Sequence, residues 1–315
     1  MKPDWTCDDI PDLTARTAIV TGASGGVGYQ IALQLALHGA HVVLASRDWH
    51  RTEQARHRIL AASSAARVET MLLDLADLSS IRAFSRKFGE KHDGADILIN
   101  NAGIAGGPRR ETKDGFETIF QVNYLGPFAL TGSLLPKLRT RPGARVVTIS
   151  SDIASKGRIE FDDLQSSRQY GLVSTYAQSK LATMVFAIEL GRRAREAGFS
   201  LTSFVTNPGI AKTNLFAAKT REWGRALTFN ERLLQLVQGL LGRSAEKGAI
   251  PALYQATDPL ADSSLYVGGA KWPRPFGLII EQFPKLALDR SLAQRLWEVS
   301  ETLSGIRFHA LARHS

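Results

Sequence analysis

Short apolar runs alternate with longer stretches of mixed polarity through the first two thirds of the chain. Runs at 18–20, 41–45, 68–73, 97–99, 146–149 and 201–205 are rich in β-branched residues and read as strands. Between them, apolar residues recur three and four apart, as at Ile31, Leu35 and the neighbouring alanines of 29–37, which is the period of a helix face. Strands that are apolar on both sides and separated by helices indicate a parallel sheet covered on both faces. The pattern predicts one α/β domain over residues 1–315, a doubly wound parallel sheet with no internal repeat or linker.

After Pro208 the pattern changes. The stretch "WGRALTFNERLLQLVQGLLG" at 223–242 sets Leu227, Leu233, Leu234, Leu236, Val237, Leu240 and Leu241 on one broad apolar helix face. It reads as a helix docked on its own domain, with a helical lid region at about 211–250 over an apolar substrate, a membrane contact or a subunit contact as alternatives. A C-terminal extension follows from about 270 to 315.

Composition narrows the function classes. Of the 315 residues, 44% are hydrophobic and 22% charged, an ordinary globular balance. The single cysteine, Cys7, rules out an internal disulfide, residues 1–11 carry no secretory signal, and a cytoplasmic location is expected. No apolar run reaches the length of a membrane span, so no stable membrane insertion is expected. The net charge of +9 raises nucleic-acid binding, but arginines such as Arg51, Arg56, Arg58, Arg192, Arg193 and Arg195 are scattered along predicted helices, with few aromatics between them. They read as solvated faces, and no nucleic acid partner is expected.

The stretch "TAIVTGASGGVG" at 17–28 has two readings. Gly22-Ala23-Ser24-Gly25-Gly26 fits an elbow that exposes a nucleophilic serine, and Gly22, Gly26 and Gly28 fit a turn that seats a pyrophosphate on a helix N-terminus. A hydrolase requires a histidine after Ser24. The seven histidines are His38, His41, His50, His57, His92, His309 and His314, none of them between 93 and 308. The phosphate reading suits a loop between a first strand and a helix, with Ser24, Gly25 and Val27 lying beside the three glycines.

Later segments supply the rest of a dinucleotide site. The second strand ends in "LASRD", where Ser46 takes the position of the acidic residue that meets a ribose 2′-hydroxyl and Arg47 offers a guanidinium suited to a 2′-phosphate. NADP(H) is therefore the expected cofactor, with NAD(H) as the alternative if Asp48 takes the hydroxyl. "LINNAG" sets Asn101, Ala102 and Gly103 at the end of the fourth strand. "VVTISSD" brings Ser150 and Ser151 to the carboxyl end of the fifth, and strand phase does not separate the two. "STYAQSK" places Tyr176 and Lys180 one turn apart on one helix face. A free phenol has a pKa of about 10, and a neighbouring ammonium is expected to lower it until Tyr176 exchanges protons with a carbonyl or alcohol. Ser151 is placed to hydrogen-bond the same oxygen. No metal is called for.

In this order the motifs Thr21–Gly28, Asn100-Asn101-Ala102-Gly103, Ser151, Tyr176 with Lys180, and Asn207-Pro208-Gly209 resemble the short-chain dehydrogenase/reductase family over roughly residues 15–270. The resemblance implies a seven-stranded Rossmann sheet, a nicotinamide cofactor and a small-molecule carbonyl or alcohol substrate. It selects the second serine, Ser151. It implies that Asp74, with Leu75 beside it, meets the adenine, that Asn123 supports a proton-relay water, and that Lys180 also holds the ribose hydroxyls. Pro208, Gly209 and Thr213 would border the nicotinamide. Each outer member also has a plain structural reading: Asp74 as a cap for the helix near Asp77, Asn123 as a partner for buried backbone, and Thr213 as a helix cap.

The long interval "KGRIEFDDLQSSRQYGLVS" and the tail "QRLWEVSETLSGI" resemble the retinol-dehydrogenase-like branch, although the N-terminal apolar anchor of many of its members has no counterpart in residues 1–11. Light-dependent protochlorophyllide reductases of the same branch use a cysteine that Cys7 does not match. Family resemblance implies a homo-oligomer built through helix faces, with the C-terminal extension obstructing one contact. A protein that binds the dinucleotide without turnover is the competing class, and the intact Ser151, Tyr176 and Lys180 argue against it.

Overall fold

All six apolar runs form strands in the computed structural model, which describes residue 2 and residues 4–209, 244–269 and 277–311. In chain order the elements are β1 (Thr17–Thr21), α1 (Gly26–Leu37), β2 (His41–Ser46), α2 (Trp49–Ala62), β3 (Arg67–Leu72), α3 (Leu78–Lys91) and β4 (Ile97–Asn100). There follow α4 (Thr118–Phe120), a π-helical turn (Gln121–Leu125), α5 (Gly126–Arg139), β5 (Ala144–Ile149), α6 (Leu172–Glu196) and β6 (Leu201–Asn207). The chain then supplies α7 (Ala245–Thr257), β7 (Tyr266–Gly269), β8 (Leu278–Glu281) and α8 (Arg290–Ser304). Thr213, the apolar segment 223–242, most of the proposed lid region and residues 270–276 of the extension lie outside the described residues.

The strands form one sheet in the order β3-β2-β1-β4-β5-β6-β7-β8. The first seven run parallel, and β8 pairs antiparallel with β7, Tyr266 opposite Glu281. The expected seven-stranded parallel sheet therefore gains an eighth, antiparallel strand. A parallel neighbour would require a crossover, whereas the short return from β7 brings the chain back antiparallel. The order reverses direction between β1 and β4, which opens a crevice at their carboxyl ends.

The two faces are covered separately. One carries Ile81, Phe84 and Phe88 of α3, Phe128 of α5 and Phe186 of α6. The other carries Ile31 and Leu35 of α1, Ile59 of α2 and Leu253 and Tyr254 of α7, with Trp5 against Tyr254. Fully burying one such side chain contributes roughly 1.5–3 kcal/mol. The C-terminal helix adds to the first face: Trp297 of α8 packs on Phe128 at 5.3 Å and Phe186 at 5.8 Å between ring centres. Phe308 closes the same cluster, 4.6 Å from Trp297. The extension thus covers the outer faces of α5 and α6. Among the described residues no helix is long and apolar enough to cross a membrane.

Candidate active site

The crevice at the strand-order reversal has a volume of about 400 Å³. Its floor is the glycine loop between β1 and α1. Gly22 and Gly26 adopt φ of +67° and +58°, the left-handed region that side chains resist. At position 28 space is the constraint: a β-carbon there would lie 2.3 Å from Asn101 Nδ2 and 2.5 Å from the Gly22 carbonyl oxygen. Helix α1 starts at this loop without a side-chain cap or an acidic residue in its first turn. Its first amides and the positive end of its dipole are left to face an anion. Ser24, Gly25 and Val27 line the same wall, and no histidine lines the crevice, so Ser24 lacks the base a nucleophile needs.

A residue passed over in the sequence ties the loop to β4. Buried Thr21 accepts at Oγ1 from the amides of Asn101 and Ala102, 3.0 Å each, and donates to the Ile99 carbonyl at 3.1 Å. Asn101 Nδ2 reaches back to the Thr21 carbonyl at 2.8 Å. These bonds bend the chain after β4, so that Asn101, Ala102 and Gly103 form the crevice wall.

At the far end lie Ser46, Arg47 and Arg51, with Asp74 and Leu75 opposite. Asp48 is not part of the lining. It caps α2 by accepting from the Arg51 amide at 3.0 Å. Arg51 was read from sequence as a solvated helix charge, yet its guanidinium sits beside Gly25, where a β-carbon would be 3.6 Å from it. The available signal was position: the first turn of a helix that starts at the crevice edge. Asp74 accepts from the Ala76 amide at 2.9 Å, and the helix cap is Asp77, which accepts from the Ser79 amide at 2.8 Å. The capping alternative for Asp74 is therefore set aside. A dinucleotide fits this donor set: uncapped amides for a pyrophosphate, two guanidiniums for a further phosphate and a carboxylate for an amine.

Ser151, Tyr176 and Lys180 converge beyond Gly103. Ser150 and Ser151 part at the end of β5: Ser150 is buried and donates to the Lys180 carbonyl at 2.9 Å, while the Ser151 side chain lies close enough to the Tyr176 hydroxyl to lower its pKa. Lys180 is buried, donates from Nζ to the Ile149 carbonyl at 3.0 Å and lies 5.9 Å from the centre of the Tyr176 ring. Burial pushes the Tyr176 phenol up to about 12, opposed by Ser151, and pushes Lys180 down to about 8. The sequence expectation of a phenol lowered by its lysine is corrected here. Desolvation disfavours both charged forms.

Asn123 sits in the π-helical turn before α5, a one-residue widening that apolar spacing did not reveal. Its Oδ1 accepts from the Ile104 amide at 2.7 Å, and its Nδ2 donates to the Ile104 carbonyl at 2.9 Å and Ser179 Oγ at 3.0 Å. Its side chain thus satisfies buried backbone and fixes the turn after Gly103. A β-carbon on Gly103 would meet Asn123 Oδ1 tightly at 3.3 Å and Lys180 Nζ in ordinary contact at 3.5 Å, so Gly103 borders both side chains. Pro208 and Gly209 follow β6, and the Gly209 amide donates to Asn207 Oδ1 at 3.0 Å. Among the described residues no cluster of histidine, cysteine and carboxylate side chains is placed to hold a metal.

Comparisons with known proteins agree with this geometry. A family model described as short chain dehydrogenase matches residues 16–223. Retinol dehydrogenase 13 of Homo sapiens is 39% identical over 304 residues, covering 95% of this chain and 88% of that protein. Polyprenol dehydrogenase of Mus musculus is 36% identical over 311 residues, covering 97% and 88%. The crystal structure of an uncharacterized protein from Mycobacterium paratuberculosis superposes with a TM-score of 0.77 at 36% identity, covering 97% of this chain and 99% of that one.

Proposed function

The chain belongs to the short-chain dehydrogenase family, and from that premise we propose that it is an NADP(H)-dependent oxidoreductase interconverting a lipophilic carbonyl and its alcohol, with Tyr176 as the proton-transferring group. The family assignment carries action on alcohol or carbonyl groups. Cofactor choice, proton donor and substrate class are our reading of the residues.

The uncapped start of α1 and the glycine loop would hold the pyrophosphate. Arg47 and Arg51, with Ser46 at the end of β2, would hold a 2′-phosphate, and NADP(H) is favoured because Asp48 is engaged as a helix cap. Asp74 and Leu75 border the position of the adenine. Lys180 is proposed to take the ribose hydroxyls, and Pro208 and Gly209 to wall the nicotinamide. When bound, the dinucleotide supplies or accepts the hydride.

The residues of the chain handle the proton. Ser151 donates a hydrogen bond to the substrate oxygen and stabilises its developing charge. Tyr176 delivers a proton to that oxygen in reduction, or removes one in oxidation. A phenol held near 12 is protonated at neutral pH, the form that donates to a carbonyl being reduced. Lys180, protonated below about 8, stabilises the phenolate left behind. Asn123 holds the Ile104 backbone and with it the wall beside Lys180. A lipophilic substrate is supported by the retinol and polyprenol dehydrogenases to which the chain is similar and by the apolar sequence at 223–242. A cytoplasmic setting belongs to the same reading, since the single cysteine suits a reducing compartment.

The observation that carries this reading is the convergence of Ser151 and Tyr176 beside a buried lysine, next to a crevice whose glycine loop and uncapped helix start suit phosphates. The test is loss of NADPH absorbance with a panel of long-chain aldehydes, isoprenoid aldehydes and bulky ketones. Turnover of apolar carbonyls is expected. Tight NADPH binding with no turnover across the panel would instead identify a dinucleotide-binding protein without this chemistry.

A further inference from the structure

Asn207, the last residue of β6, is 1% exposed, and every polar atom of its side chain is engaged. Nδ2 donates to Asp152 Oδ1 at 2.7 Å and to Glu281 Oε1 at 3.0 Å, and Oδ1 accepts from the Gly209 amide at 3.0 Å. Three parts of the chain meet at this one amide: the loop after β5, the Pro-Gly turn after β6 and the antiparallel strand β8.

The contact with Glu281 depends on a second feature. Gly268 of β7 lies between that carboxylate and its strand neighbours, and a β-carbon there would be 2.0 Å from Glu281 Oε1. Only glycine lets the carboxylate reach across β7 to Asn207. The arrangement also draws two carboxylates toward one amide, although like charges repel. Tyr266, opposite Glu281 in the register, is buried with a hydroxyl that finds no partner among the described residues, and its pKa is raised by burial and by Glu281 and Asp152.

Asp152 directly follows Ser151, whose side chain lies beside the Tyr176 hydroxyl. Gly209, with φ of +71°, ends the turn on the other side. We propose that Asn207 is a positioning residue for proton transfer: its side-chain amide locks the Ser151 loop to the Pro208–Gly209 turn, with Glu281 holding the amide in the orientation that serves both. This rests on the Tyr176-dependent reaction proposed above. Asn207 does not touch the reacting atoms. It fixes the distance between the hydroxyl that orients the substrate and the wall beside the cofactor.

The test uses the full chain, with wild type and Tyr176→Phe as references and Asn207→Leu, Asn207→Asp and Ser151→Ala as variants. Asn207→Leu is expected to lower kcat about 100-fold, the scale of a misplaced reacting group, with the Kd for NADPH changed less than about threefold. In the Ser151→Ala background the same substitution should cost less than about threefold, because both changes disable one unit. Asn207→Asp adds a third carboxylate that donates only when protonated, so its kcat relative to wild type should rise as the pH falls. This comparison is made within one folded protein and decides the matter if Asn207→Leu does not fold. Multiplicative losses in the double variant, or an Asn207→Asp profile parallel to wild type, would overturn the positioning role. Wild type with no Tyr176-dependent turnover would overturn the functional reading first, and the positioning role with it.

Discussion

The hydroxyl of Ser150 donates to the backbone carbonyl of Lys180 over 2.9 Å, while its neighbour Ser151 lies beside the Tyr176 hydroxyl. One residue of chain phase thus divides a serine held on backbone from one that faces Tyr176. Ser151→Ala is expected to lower kcat by about 100- to 1000-fold, as loss of an oxyanion-type donor does, with little change in melting temperature. Ser150→Ala should do the reverse, lowering stability by about 1 kcal/mol and kcat only slightly. Steady-state kinetics and thermal melts on the two variants check the division.

Lys180 places a cost on the fold. Its pKa is lowered by burial from 10.5 in the unfolded chain to about 8, so the folded state disfavours the charged form. The associated stability is present above pH 10.5 and lost as the pH falls through 8, a difference of roughly 3 kcal/mol at neutrality. Lys180→Met also removes the bond to Ile149, worth about 1 kcal/mol. The cofactor-free variant should therefore be about 2 kcal/mol more stable than wild type at pH 7, with the gap shrinking between pH 8 and 10.5, and inactive throughout. Urea denaturation at neutral and alkaline pH measures it. A variant less stable than wild type at pH 7 would show that the lysine is structural.

The strands, the glycine loop and the Tyr176–Lys180 pair were legible in the sequence because each follows a short-range rule: apolar runs for buried strands, glycine where the backbone turns left, i to i+4 for a shared helix face, whereas Ser151 was separated from Ser150 only by the family resemblance. The rest depends on neighbours far away in the chain. β8 was missed because its four residues carry no distinctive pattern and pair only with β7. The π turn around Asn123 adds one residue to a helix whose apolar spacing looks continuous. Asp77 and Asp74 are equally plausible caps until the Ser79 amide selects one. The expected lowering of Tyr176 considered only the lysine charge, and burial, which sequence does not report, reverses its direction.

Arg51 and Arg47 give the cofactor reading a direct check. Each neutralised to alanine should weaken NADPH binding at least about tenfold, the scale of a charge-assisted hydrogen bond, while NADH binding changes little. The NADPH effect should also diminish at high salt. Fluorescence titrations with both cofactors measure it. Equal losses for NADPH and NADH would place the arginines away from a 2′-phosphate.

Gly28→Ala tests the seating of α1 on the loop. The added carbon meets Asn101 Nδ2 at 2.3 Å and the Gly22 carbonyl at 2.5 Å, and the second partner is backbone that cannot rotate away. Overpacking of this kind costs about 1–3 kcal/mol. The variant should lose both stability and cofactor affinity, whereas Gly115→Ala, at a positive φ with open space around it, should lose stability alone.

The central claim is that Tyr176 moves the proton. The most direct measurement is single-turnover NADPH oxidation by wild type and Tyr176→Phe with one reducible aldehyde, alongside NADPH affinity by fluorescence. A loss of at least about 1000-fold in the chemical step with affinity nearly unchanged is predicted, within the range assigned to general acid catalysis together with charge stabilisation. Turnover by the phenylalanine variant at a rate close to wild type would contradict it.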